Sequence, residues 1–103
     1  MKLVYRPLFL TDVTECADYL TVEAGEKVAA EWYQSLKNAL VQIQENPEIG
    51  RVRQDLPGDR IRTLNLRKYP NYLIFYRLEK NSIELLRVRH GMMNLPELFS
   101  AGD

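Results

Sequence analysis

The stretch Tyr-Leu-Ile-Phe-Tyr, residues 72–76, decides the fold because none of its five positions carries a charge and all are apolar or aromatic. β-Branched and aromatic residues favour strands, and a run without polar alternation is typical of a central strand covered on at least one face. This strand is predicted to span residues 72–78. Two more strands are predicted beside it, at residues 60–66 and 82–89, with connections of hairpin length. The sequence therefore predicts an antiparallel sheet.

A first amphipathic helix is predicted before these strands. Thr11 and Asp12 offer N-caps, and Asp12 with Glu15 three residues later resembles a capping box. The helix is predicted to run to about residue 22, where Ala24-Gly25 ends it. Its apolar stripe recurs at helical spacing, at Val13, Cys16, Ala17 and Leu20.

A longer second helix is predicted from about Glu26 to Asn46-Pro47, since the residue before a proline avoids the helical region. Residues 2–9 are predicted to form an edge strand or one that ends near Arg6, because Pro7 cannot donate to a sheet. Residues 48–59 are read as a surface loop carrying Arg51 and Arg53. The order β-α-α-β-β-β predicts an α+β domain, residues 1–103, with an αα-hairpin packed on one face of the sheet.

Composition excludes several classes of function. The chain has 103 residues with one cysteine and one histidine, which excludes an internal disulfide and argues against a metal site. The glycines never cluster as in a nucleotide-binding loop, so no cofactor is expected. No apolar run is long enough to span a membrane, and a cytoplasmic location is expected.

Charge is unevenly distributed although the formal net charge is zero. Residues 1–50 carry −4, residues 51–90 carry +6 and residues 91–103 carry −2. A basic region of this kind needs an acidic partner, an anionic substrate or merely solvent. Strict alternation would place Ile83, Leu85, Arg87 and Arg89 on one side of the last strand, and Glu84, Leu86, Val88 and His90 on the other.

Two interpretations of the arginines stay open. Arg87 and Arg89 would clamp phosphates, or they would lie on a solvated strand face or form ion pairs with Glu79 and Glu84. If their side of the strand is the uncovered one, they would join Arg62 and Arg77 in a concave basic surface.

The end of the chain is equally ambiguous. His90 would act as a general acid or base, or simply end a strand before Gly91. Met92 and Met93 would form an adaptable contact surface or fill the core. A short helix is predicted after Asn94, carrying Leu95, Leu98 and Phe99.

These features together resemble toxins of the RelE/ParE superfamily from bacterial type II toxin-antitoxin systems. The resemblance covers nearly the whole chain. It is carried by the element order, by Asn46-Pro47 with Gly50-Arg51, by the run at residues 71–76, and by Arg87-Val88-Arg89-His90-Gly91. It implies a compact toxin that is neutralised by a cognate antitoxin whose C-terminal segment wraps it.

The resemblance also implies a choice of mechanism. RelE-like members cut messenger RNA on the ribosome without a metal, whereas ParE-like members poison DNA gyrase. Leu73 stands where the ribonucleases commonly carry an arginine, and Met92 and Met93 stand where they carry lysine or arginine. Removing one preorganised charge from a phosphoryl-transfer site costs about two to three powers of ten in rate.

We therefore expect a ParE-like toxin that binds DNA gyrase. The alternatives are a ribosome-dependent endoribonuclease, using His90, Arg87, Arg89 and Tyr72, and an inactive toxin-like binding module. The residues expected to contact the antitoxin or target are Arg60, Arg62, Arg77, Arg87, Arg89, Met92, Met93, Leu95, Leu98 and Phe99.

Overall fold

The computed structural model describes residues 1–58 and 60–91. These residues form seven regular elements in chain order: β1 (Lys2–Tyr5), α1 (Pro7–Ala24), α2 (Glu26–Glu45), β2 (Arg51–Val52), β3 (Arg62–Asn65), β4 (Tyr72–Leu78) and β5 (Ser82–His90). Within them, no helix is both long and apolar enough to cross a membrane. The short helix predicted after Asn94 lies outside the described residues.

A single five-stranded sheet has the order β1-β5-β4-β3-β2. Its strands pair antiparallel except at one edge, where β1 runs parallel to β5. The sheet is therefore mixed, which corrects the antiparallel sheet expected from the sequence. The α+β architecture and the packing of the helical hairpin on one face are confirmed.

The main core lies between this hairpin and the sheet. Phe9 from α1 and Trp32 from α2 are 1% and 0% exposed, and they pack against residues of β4 and β5. Fully burying a large apolar side chain stabilises a fold by roughly 1.5–3 kcal/mol, so this layer holds the hairpin on the sheet. The predicted bounds of β4 and the predicted start and end of α2 are confirmed.

The start of α1 differs from the prediction. The helix begins at Pro7, with Arg6 in the extended N-cap position, and Thr11 and Asp12 lie inside it. Proline is favoured at the first helical position because its missing N–H would have no partner there and its φ is already helical. Thr11 does not cap the helix; its hydroxyl donates to the Pro7 carbonyl at 3.2 Å. The predicted capping box at Asp12 is therefore wrong.

The segment at residues 48–59, predicted to be a loop, contains the short strand β2. Arg51 and Val52 pair with Thr63 and Arg62 of β3. Two residues leave no periodicity to detect in a sequence. The strand predicted at residues 60–66 is shorter than expected, because Arg60 has a positive φ of 55° and lies before β3.

A bulge in β5 changes which of its side chains share a face. Phe75 pairs with Arg87 while Tyr76 pairs with Leu85, so Leu86 is an extra residue in β5. Val88 therefore joins Ile83 and Leu85 in the core beneath the helices. The strict alternation predicted for this strand is wrong beyond Leu85, because a bulge shifts the two-residue period by one.

The face of the sheet away from the helices carries a second, smaller apolar cluster. Phe75 and Leu86 pack there with Leu56 and Ile61, which come from the segment between β2 and β3. Partial cover of this kind explains why the apolar run of β4 is buried on both sides.

Candidate functional site

An open pocket of about 400 Å³ lies where α1 passes the C-terminal half of β5. β1 ends at Tyr5, so beyond that point α1 takes the place of a neighbouring strand beside β5. The pocket is lined by Glu15, Cys16, Tyr19, Tyr72, Arg89 and His90. Three residues with an expected function, Tyr72, Arg89 and His90, therefore share this pocket.

Asp12 organises the charges beside this pocket. Its carboxylate is 1% exposed and accepts hydrogen bonds from Arg87 Nε at 2.7 Å, Arg87 Nη2 at 3.1 Å and Arg89 Nη1 at 3.0 Å. It also accepts from the backbone N–H of Val88 at 3.1 Å. That N–H lies on the edge of β5 beyond the end of β1. Asp12 therefore accepts the hydrogen bond that a neighbouring strand would otherwise accept. A buried carboxylate is stable only with such partners.

Glu15 extends the same network one helical turn further. It accepts from Arg89 Nη1 at 3.1 Å, and its own side chain is largely exposed. Burial disfavours the charged guanidinium of Arg89, but the hydrogen bonds and charges of Asp12 and Glu15 outweigh burial and raise the pKa of Arg89. Two arginines and two carboxylates thus balance one another, which leaves little net positive charge at this end of β5.

A chain of aromatic rings connects the pocket to the core. His90 and Tyr72 are partners in the β4–β5 pairing, and their rings meet edge to face at 5.2 Å. Tyr72 in turn meets the buried Trp32 at 5.6 Å. Burial, followed by the charges of Cys16 and Tyr19, raises the pKa of Tyr72. Its phenol therefore stays protonated at neutral pH, and its ring serves mainly to pack.

Cys16 lies on the α1 side of the pocket. Burial is the main cause that raises its pKa to about 11, with Arg89 opposing and Asp12 and Glu15 adding to the shift. Its Sγ lies 3.9 Å from the Val88 carbonyl. A thiol with this pKa is protonated at neutral pH and is a weak nucleophile.

The residues predicted for a ribonuclease site are only partly brought together. Tyr72, Arg89 and His90 line one pocket, whereas Arg87 is not among its lining residues and points to Asp12. No group of residues in the described ranges could hold a metal ion.

The predicted basic surface is not formed as expected. Arg62 pairs with Tyr76 on the helix face, and its Nη1 donates to the Gly50 carbonyl at 2.8 Å. Arg77, Arg87 and Arg89 belong to the opposite face, so the grouping of Arg62 with them is wrong. Arg60 is exposed and precedes β3. Met92, Met93, Leu95, Leu98 and Phe99 lie outside the described residues.

Sequence reasoning missed the role of Asp12. A signal was present, since Asp12 falls three residues after Phe9 and four before Cys16, on the apolar stripe of α1. A carboxylate in that position must find a buried partner. Ion pairs with Glu79 and Glu84 were one alternative considered for the arginines of β5, but both of those carboxylates pair with Arg77, and Glu84 also pairs with Arg6.

A second charged cluster lies near the other end of β5. Glu84 accepts from Arg6 Nη1 at 2.8 Å and lies 3.6 Å from Arg77 Nη2. The hydrogen bond from Arg6 is the main cause that lowers the pKa of Glu84, and the charge of Arg77 adds to it. This cluster fastens the β1–α1 junction to the sheet.

Glu84 makes stability depend on pH in a defined direction. Because its pKa is lower in the folded chain than its ordinary value of 4.5, its contribution is complete above pH 4.5 and is lost as pH falls through the lowered value. We expect Glu84→Gln to lower the free energy of unfolding by about 1 kcal/mol at neutral pH, the upper range for such a pair. The difference should shrink in acid, as measured by urea unfolding at a series of pH values. Parallel curves for the two proteins would contradict this assignment.

Comparison with known proteins identifies a family and a solved structure that this chain resembles. The family described as the ParE toxin of the type II toxin-antitoxin system, parDE, matches residues 3–95. A solved structure of a chromosomal ParDE toxin-antitoxin system from P. aeruginosa is similar in fold, with a TM-score of 0.73 and 23% sequence identity. The match covers 87% of this chain and 95% of that one. No curated protein matches the sequence.

Proposed function

The chain belongs to the ParE toxin family of type II toxin-antitoxin systems, and from this membership we propose that it stops growth by binding DNA gyrase in the cytoplasm. A cognate antitoxin binds the toxin and neutralises it. The toxin works by occupying a protein surface rather than by cutting RNA.

The commitment of Arg87 and Arg89 to Asp12 is the observation that carries this choice. A site that cleaves RNA needs cations available to the phosphate. Here both guanidiniums are hydrogen-bonded to a carboxylate that is 1% exposed. Turning them to a phosphate would leave that carboxylate buried without its partners, at a cost of about 3–5 kcal/mol.

The pairing of β4 with β5 supports the same conclusion. Leu73 pairs directly with Arg89 across the two strands. An arginine at position 73, as the resemblance to ribonucleases would require, would place a second cation beside Arg89. The apolar side chain of Leu73 instead packs against the cluster around Phe75.

Two assays on the purified toxin distinguish binding to DNA gyrase from cleavage of messenger RNA on the ribosome. We expect gyrase incubated with supercoiled DNA and the toxin to yield trapped double-strand breaks after detergent and protease treatment. We expect no cleavage of messenger RNA on programmed ribosomes. Adding the cognate antitoxin before the toxin should abolish the trapped breaks. Cleavage of message at defined codon positions, with no effect on gyrase, would overturn the proposal.

A further inference from the structure

The positive charge of residues 51–90 is not compensated equally everywhere in the folded chain. Arg77, Arg87 and Arg89 are all paired with carboxylates. Arg67 and Lys68 differ from them. They lie in the turn between β3 and β4, both are exposed, and their side chains make no ion pair or hydrogen bond with another described residue. This turn therefore offers two adjacent cations to a ligand.

The backbone of this turn is held by three hydrogen bonds. The Leu66 N–H donates to the Tyr72 carbonyl at 3.0 Å, and the Tyr72 N–H donates to the Tyr69 carbonyl at 2.9 Å. Asn65 Nδ2 donates to the Pro70 carbonyl at 2.6 Å. The backbone that carries the two cations is therefore ordered before a ligand binds, which lowers the conformational entropy lost on binding.

A polar cleft of about 180 Å³ separates the turn from α2. Ser35 and Ala39 are 6% and 4% exposed, and their small side chains leave room between the helix and the turn. The residues of α2 that line the cleft recur at helical spacing and are Glu31, Gln34, Ser35, Asn38, Ala39 and Gln42. Arg67 and Lys68 line the side formed by the turn.

Most polar groups in this cleft can donate hydrogen bonds. The hydroxyl of Ser35 makes no hydrogen bond with another described residue, although the residue is more than nine-tenths buried. Gln34 Nε2 donates to Asn38 Oδ1 at 3.1 Å, so the NH₂ group of Asn38 remains available as a donor. Glu31 is the one carboxylate among the lining residues that the structure describes. The cleft therefore favours an anion.

The composition of the cleft fits a phosphate better than an acidic peptide. A peptide interface depends on large apolar or aromatic anchors, and Ala39 is the only apolar residue among the described residues of the lining. Phosphate oxygens in nucleic acids are contacted by arginine, lysine, serine, asparagine and glutamine side chains, which are the residue types present here.

Further cations on the same side of the sheet favour a polymer of phosphates over a single small anion. Arg51 lies on β2, the last strand of the sheet on that side, and Arg60 precedes β3. Both are exposed. A row of exposed cations of this kind is the electrostatic signature of a surface that follows a nucleic-acid backbone.

We propose that the cleft between α2 and the β3–β4 turn binds a backbone phosphate of the double-stranded DNA that gyrase holds. The proposal rests on the proposed function for the presence of gyrase and its DNA. Arg67 donates to the phosphate through its guanidinium, and Lys68 adds a second positive charge. Ser35 and the amide of Asn38 donate from α2. Contacts to phosphate carry no sequence information, so the toxin holds any DNA that gyrase has engaged.

Removal of the two cations tests the side of the cleft formed by the turn. The probe is a short fluorescein-labelled DNA duplex, titrated with the toxin at a series of salt concentrations. We expect Arg67→Ala combined with Lys68→Ala to weaken binding at least about tenfold and to reduce the slope of log K against log salt by about one to two. Lys27→Ala combined with Lys80→Ala is the matched control. Those two lysines are exposed but do not line the cleft, so the slope should stay unchanged.

A pair of glutamines tests the side of the cleft formed by α2. Gln42 lines the cleft, whereas Gln44, two residues later on the same helix, does not. Gln42→Glu places a carboxylate beside the bound phosphate and should weaken duplex binding at least about fivefold. Gln44→Glu makes the same change in net charge and should leave binding unchanged. Both glutamines are exposed, so both variants should fold, which circular dichroism checks.

The gyrase assay separates failure of the cleft from failure of the proposed function. The cleft variants should need at least about tenfold more toxin for half-maximal trapping of breaks, while their affinity for gyrase without DNA should equal that of the unaltered toxin. If they trap breaks as well as their controls do, the cleft is overturned and poisoning of gyrase stands. If the unaltered toxin traps no breaks, the proposed function fails, and the assignment of the cleft to gyrase-held DNA fails with it.

Two other outcomes would assign the cleft to a different ligand and so overturn the proposal. Tighter binding of a single-stranded RNA than of the duplex, lost in the cleft variants, would assign the cleft to RNA. Weaker binding of the cognate antitoxin by the cleft variants, with duplex binding unchanged, would assign it to an acidic peptide. Equal duplex binding by Gln42→Glu and Gln44→Glu would show that the cleft holds no phosphate.

Discussion

Asp12→Asn is expected to lower the free energy of unfolding by about 3 kcal/mol or more, because it removes the charge from a carboxylate that is 1% exposed and holds two arginines. The asparagine side chain has nearly the same size, so packing is preserved. Its amide nitrogen cannot accept from a guanidinium, however, and Arg87 and Arg89 would both lose their bonds to a charged acceptor. One oxygen remains to accept from the Val88 N–H.

The consequence should be visible in thermal and urea unfolding. For a chain of this size, a loss of about 3 kcal/mol lowers the melting temperature by roughly 12–24 °C. Glu15→Gln is the matched control, since Glu15 contacts the same Arg89 from an exposed position. An exposed pair contributes less than about 1 kcal/mol. Equal, small losses of stability for the two variants would show that Asp12 is not the centre of this network.

The network around Asp12 also affects how a loss of affinity is interpreted when Arg87 and Arg89 are both replaced by alanine. Both arginines are among the residues that the sequence predicts to contact the antitoxin or target, so a loss of affinity in this variant would be attributed to the interface. Among the described residues, the double replacement leaves the buried Asp12 carboxylate with the Val88 N–H as its hydrogen-bond partner, and it destabilises the β5–α1 junction. Any loss of affinity in that variant has to be compared with its free energy of unfolding before it is assigned to the interface.

Sequence patterns predicted those parts of the fold that depend on side chains within a single helix or strand. The apolar run of β4 and the helical period of α2 come from side chains within each element, and their predicted bounds agree with the structure. The start of α1 was predicted too late in the chain because two good capping residues outweighed Pro7. The bulge at Leu86 depends on how two strands pair, and nothing in β5 alone reveals it.

The candidate site likewise has one part that follows from neighbouring predicted strands and one part that depends on contacts distant in sequence. Tyr72 and His90 meet because a hairpin joins β4 and β5, and this neighbourhood follows from the predicted strands. The partner of Arg87 and Arg89 is on α1, 75 and 77 residues away in the chain. No short-range pattern joins them, so the ion pairs considered from the sequence were with acidic residues nearby in the chain, Glu79 and Glu84. The buried charge on the apolar stripe of α1 was the sign that a distant partner existed.

Gly50→Ala should be the most damaging single change after Asp12→Asn. A Cβ at Gly50 would lie 2.6 Å from Tyr76 Oη, 2.7 Å from Tyr76 Cε1 and 2.9 Å from the Thr63 carbonyl oxygen. Tyr76 is fully buried and Thr63 contributes backbone, so neither can move without disturbing the sheet. Overpacking of this kind costs about 1–3 kcal/mol, and we expect a value near the upper end.

Displacing the Tyr76 ring would also disturb two hydrogen bonds. The Tyr76 hydroxyl accepts from the Gly50 N–H and donates to the Pro47 carbonyl, both at 2.8 Å, and so fixes the chain that leaves α2. Tyr76→Phe removes these two bonds and should cost about 1–2 kcal/mol by leaving buried groups unsatisfied. It should not rescue Gly50→Ala, because the close approaches to Cε1 and to Thr63 remain.

A second glycine separates crowding from backbone strain. Gly25 has a φ of 97°, but no atom lies within 4 Å of the position its Cβ would take. Gly25→Ala therefore carries only the strain of a backbone conformation, φ 97° and ψ 164°, that is nearly exclusive to glycine, about 1–3 kcal/mol. If Gly50→Ala lowers the free energy of unfolding by less than about 1 kcal/mol in urea, the segment after α2 is not held against Tyr76 as tightly as the structure requires. A larger loss of stability at Gly50, unrelieved by Tyr76→Phe, would show that this close approach, and not merely the phenol's hydrogen bonds, joins the helical hairpin to β3 and β4.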